Sequence, residues 1–92
     1  MSIKYDMIND RERALMNIER NYQFFLKELP RLIKEHRGEF VIISDEKVID
    51  FSPSLIEGVI YARTKYKDGE YIVQQCLPIE ETMVVFHSRV GV

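Results

Sequence analysis

Of the 92 residues in this chain, one is cysteine and two are histidine, and the cysteine and one histidine fall in GEYIVQQCLPIEETMVVFHSRV, the stretch that ends at Val90. There Gln74, Gln75, Cys76, His87, Ser88 and Arg89 interrupt runs of Tyr, Ile, Val, Met and Phe, so polar groups project from what reads as two β-strands. A thiolate beside an imidazole base would support nucleophilic catalysis. An arginine on the same sheet would offer its rigid donor fork to a carboxylate. Alternation places Met83, Val85, His87 and Arg89 on one face of the last strand. With a four-residue turn at Pro78, Ile79, Glu80 and Glu81, Cys76 lies opposite Met83, His87 opposite Ile72 and Arg89 opposite Glu70. Cys76 and His87 then stand roughly 13 to 14 Å apart by strand rise. A nucleophile and its base need direct hydrogen-bond reach, so Cys76 reads as a small buried hydrophobe. Arg89 either pairs with Glu70 or serves a ligand, with His87 able to tune that contact with pH. The candidate binding residues are Arg89, His87, Gln75 and Phe24.

Other chemistry finds no foothold in the residue pattern. His36 and His87 have no ligand partner at helical or loop spacing, so no metal is expected, and His36 reads as a cation near a helix C-terminus. Glu80 and Glu81 read as solvated turn acids, and there is no Gly-rich phosphate loop and no Ser/His/Asp arrangement. No cofactor is expected.

The elements that would hold these residues follow from periodicity. Asn9 or Asp10 with Glu12 marks a helix start. Leu15, Ile18, Tyr22, Phe25, Leu29 and Leu32 then recur every three or four residues as one apolar stripe, which reads as core packing against a sheet. Phe24 sits at the polar side of that stripe, either at its edge or as an exposed anchor. Pro30 predicts a break near Leu29, with a short second helix ending before Gly38. FVIIS (40–44) and KVIDFS (47–52) read as a hairpin around a polar turn. Ser52 then caps a helix with Pro53 at its first position, turning Leu55, Ile56, Val59, Ile60, Ala62 and Tyr66 inward. A second hairpin, 70–77 with 82–90, follows. The expected fold is a two-layer α+β domain of order α-β-β-α-β-β: a four-stranded, mainly antiparallel sheet with both helices on one face and the other face open or covered by a partner.

The chain is one domain by length, with an apolar fraction of 46% that speaks for a folded core. No stretch is long and apolar enough to span a bilayer, and the single cysteine fits a reducing compartment, so a cytoplasmic location is expected. Residues 1–37 hold eight Lys/Arg against six Asp/Glu, and 38–92 hold five against nine. The net charge of −2 and a solvated mixed helix face argue against nucleic-acid binding, which stays as an alternative through the basic side of the first helix.

The segments NYQFFLKELPRLIKEHRGEFVII, GEYIVQQC and FHSRV together resemble a family of small uncharacterised prokaryotic proteins. The resemblance covers about 21–90, rests on Tyr22, Phe25, Leu29, Pro30, Gly38, Gln75, Cys76 and Phe86 to Arg89, and leaves 1–20 as a helical extension. It implies no assigned activity, and an accessory role beside a retropepsin-like aspartic protease. The expected function is a non-catalytic protein-interaction or regulatory module, possible as a homodimer. A small enzyme using Cys76 and His87 is the alternative.

Overall fold

The structure is a computed structural model, and it describes residues 9–81. The first helix, α1, runs Asp10–His36, and Asn9 caps it in an extended conformation, its Oδ1 accepting the Glu12 amide at 2.8 Å. From Phe25 onward the apolar stripe does what its spacing requires, with Phe25, Leu29 and Leu32 buried in the core, whereas Leu15 and Ile18 at its start are exposed instead of packed on the sheet. No break occurs at Leu29, because α1 is continuous through Pro30. Pro30 is exposed, and the helix runs on past the single hydrogen bond, to the Leu26 carbonyl, that a proline removes. Gly38, at φ +87, turns the chain out of the helix.

Three strands follow: β1 (Phe40–Ser44), β2 (Lys47–Ser52) and β3 (Tyr71–Gln75), in the order β2-β1-β3. Both outer strands are antiparallel to β1, with a bulge in β2 where the partner of Ile42 is Asp50 and that of Ile43 is Val48. β2 and β3 therefore run parallel to each other and need a crossover, which α2 (Leu55–Lys65) supplies. The α+β class holds, whereas the expected four strands reduce to three among the described residues. The strand read over 82–90 lies outside the described residues. Residues 79–81, expected at the corner of a hairpin, are helical instead. Ser52 ends β2 rather than capping α2. Ser54 is the cap, its Oγ accepting the Glu57 amide at 3.1 Å, while Ser52 Oγ donates to the Ser54 carbonyl at 2.8 Å.

The helices lie on opposite faces of the sheet, not on one. Val41, Ile43 and Ile72 share a face and pack with Phe25, Leu29 and Leu32 of α1. Their strand neighbours Val73 and Ser52 point the other way and meet α2 at Gly58, where an added β-carbon would lie 3.2 Å from Val73 Cγ1 and 3.4 Å from Ser52 Cβ. The face expected to be open is thus covered by α2. Its buried residues are Gly58 and Ala62; of the set expected to point inward, Ala62 is buried, Val59 and Tyr66 are half-buried, and Leu55, Ile56 and Ile60 are exposed. Each fully buried large side chain, such as Leu32, contributes about 1.5 to 3 kcal/mol of burial.

Candidate functional site

The two ends of the sheet differ in character. At the end where β1 begins, the core closes around Cys76, which is fully buried. Its amide donates to the Glu39 carbonyl at 2.8 Å and its carbonyl accepts from the Gly38 amide at 2.9 Å, continuing the β1–β3 ladder by one step. Burial, with a smaller contribution from the Glu39 carboxylate, pushes the Cys76 thiol up to about 11. It stays protonated near neutral pH, the reverse of an activated nucleophile. Gln75 donates its side-chain amide to the Gly38 carbonyl at 3.1 Å, tying β3 to the exit of α1. Phe24 is half-buried and packs against the core cluster, at the edge of the stripe. His87 and Arg89 lie outside the described residues. Glu70, the acid read as a partner for Arg89, accepts the Lys67 amide at 2.9 Å through Oε1. His36 stacks on Phe51 with ring centroids 3.6 Å apart and faces Glu39 Oε1 at 3.0 Å.

The opposite end of the sheet carries an open cavity of about 250 Å³ that sequence reasoning did not single out. α1 lines it with Asn17, Arg20 and Asn21, the β1–β2 turn with Ser44, Asp45 and Glu46, and the segment after α2 with Tyr66 and Glu70. Asp45 and Glu46 both have left-handed backbones, φ +55 and +57, the geometry of a tight hairpin turn that glycine and asparagine adopt more easily. Asn21 holds that turn: it is only 2% exposed, and its Oδ1 accepts the Glu46 amide at 2.8 Å. Ser44 Oγ donates to the Glu70 carbonyl at 2.6 Å, joining the turn to β3. Asn21 reads as a polar-face residue by helical spacing. The one available signal was that its position falls on the same side as Phe25 one turn later.

A third feature is apolar. On α2, Ile56 and Ile60 are one turn apart and 71% and 60% exposed, with Leu55 beside them at 48%. The basic side of α1 is partly neutralised within the helix, since Arg31 bonds Glu28 at 2.6 Å and faces Glu35 at 3.8 Å. Among the described residues no group of three or more His, Cys, Asp or Glu is placed to hold a metal ion, and no helix is long and apolar enough to cross a membrane.

Residues 31–75, just under half of the chain, match the model of a family of unknown function, DUF5678. That segment runs from the last turns of α1 through β3, so it contains the three described strands and α2. No curated protein and no solved structure matches the chain.

Proposed function

We propose that this chain is a non-catalytic protein-interaction module that docks through the outer face of α2, with a second copy of itself as the occupant. The observation that carries the reading is the exposure of Ile56 and Ile60, beside Leu55, on a helix whose inner face is already satisfied by Gly58 and Ala62. A helix apolar on both sides is a buried helix, and an exposed apolar patch marks an interaction site. Leu55, Ile56 and Ile60 are already partly covered, so burying what remains exposed contributes about 1 to 2 kcal/mol each. One such patch barely offsets the freedom lost on association, whereas a two-fold contact of α2 on α2 doubles it.

Light scattering after size exclusion tests this directly. The unaltered chain is expected as a dimer at tens of micromolar, and Ile56→Lys with Ile60→Glu as a monomer of unchanged far-UV circular dichroism. A wild-type chain that stays monomeric at millimolar concentration overturns the self-association. The resemblance to proteins that accompany retropepsin-like aspartic proteases makes such a protease the other occupant to try. Capture of the protease by a monomeric wild type, lost in the same double variant, would replace the second copy on that face.

What weighs against an enzyme built on Cys76 and His87 is the burial and raised pKa of the thiol. The unpaired cysteine suits a reducing compartment, which supports the cytoplasm as the working location.

A further inference from the structure

We infer that the cavity between Asn21, Arg20 and the Asp45–Glu46 turn binds a free α-amino acid. Three observations at one place carry this. First, Asn21 is a buried amide used at only one of its two ends. The Glu46 N–H requires an acceptor, which assigns Oδ1 to that bond and leaves the Nδ2 donors without a partner among the described residues. No fully buried side-chain nitrogen or oxygen among the described residues lacks a partner, so Nδ2 keeps some accessible surface on a residue that lines the cavity. A donor in that position calls for an acceptor on whatever occupies the cavity.

Second, Arg20 lines the same cavity and has no carboxylate partner among the described residues. A guanidinium cannot shed its charge, and its fork suits a carboxylate. Third, the wall opposite is acidic. Among the described residues, Asp45, Glu46 and Glu70 set three carboxylates against the guanidinium of Arg20, so a plain anion would meet a net negative site. Of these side chains, Glu70 alone has a partner among the described residues, closing the loop at Lys67. A ligand that satisfies Asn21 and Arg20 must therefore carry a cation as well as an acceptor.

An ammonium and a carboxylate on one small skeleton meet both demands. The carboxylate goes to Asn21 Nδ2 and Arg20, and the ammonium to Asp45 and Glu46. The size agrees, because about 250 Å³ lies just under the roughly 300 Å³ at which pockets for drug-sized ligands begin. The left-handed turn belongs to the same account. Two non-glycine residues in that conformation place two carboxylates at the rim, where the easier Asn-Gly turn would place none. This site is separate from the outer face of α2, and its test does not depend on the oligomeric state.

The test is a titration of the full chain with the common L-α-amino acids, followed by NMR at the Asn21 side-chain amide pair and the Glu46 backbone amide. Saturable shifts at both resonances are expected for a subset of amino acids. n-Butylamine and butyrate, which carry one charge each, should bind at least tenfold more weakly. Arg20→Gln, an exposed change that leaves the fold alone, should weaken binding at least tenfold. Asn21→Asp keeps the acceptor for Glu46 and removes the donor, and it should abolish binding. Absence of saturable shifts with every amino acid overturns the inference, as does binding that Arg20→Gln leaves unchanged. Equal affinity for alaninamide would also overturn it, since the site would then read a peptide N-terminus and not a free amino acid.

Discussion

Alkylation of Cys76 separates a structural thiol from a catalytic one by a margin that follows from its surroundings. At pH 7.5 an ordinary thiol of pKa near 8.5 is about 10% thiolate. A thiol at about 11 is roughly 300-fold less ionised at that pH. Full burial adds a barrier of access, so iodoacetamide should label the native chain at least about 300-fold more slowly than the urea-unfolded chain. The same shift couples to stability. The folded pKa lies above the unfolded one, so as pH rises past about 8.5 the unfolded thiol loses its proton first and the unfolded state is favoured. The stabilisation is complete below that pH and falls by as much as about 3 kcal/mol by pH 11. Cys76→Ala isolates the effect from other titrating groups. It should be less stable than wild type by about 1 kcal/mol at pH 7, for the lost packing, and more stable than wild type near pH 11. The measurements are intact-mass labelling kinetics and urea unfolding of both proteins across that range. Native labelling within tenfold of the unfolded rate, or a wild-type to Cys76→Ala difference that does not change with pH, would refute the reasoning.

Two further sets of substitutions probe the turn and the loop against α1. Asp45→Asn with Glu46→Gly relieves two left-handed backbones, φ +55 and +57, and should raise stability by about 1 kcal/mol in urea unfolding while removing amino-acid binding. A lower stability would show that the two acids hold the turn themselves. Gly69 has φ +89, and a β-carbon there would overlap that of Ala14, so Gly69→Ala should destabilise by about 1 to 3 kcal/mol. Adding Ala14→Gly should recover the steric part, and a double variant no better than the single one would assign the whole loss to backbone strain.

Much of the local structure was decided by residue type and spacing alone. Asn9 as a cap, the stripe of Phe25, Leu29 and Leu32, the 40–52 hairpin and its turn, and the stop at Gly38 all follow from interactions within a few residues. Burial of Cys76 was likewise legible, because a lone cysteine in an apolar strand behaves as a small hydrophobe. What spacing could not decide was which side of α2 meets the sheet. Large apolar residues normally mark the inner face, but a crossover helix lying close over the sheet needs small ones at the contact, so Gly58 and Ala62 face inward and Ile56 and Ile60 are left outside. For the same reason the helices divide between the two faces: α1 already fills one, and the crossover passes over the other. Asn21 shows the limit most clearly. Its side chain is polar, and on the helix alone it belongs to solvent. Only the folded chain brings to it an amide, that of Glu46 in a turn 25 residues away, whose need for an acceptor makes burial of an asparagine favourable.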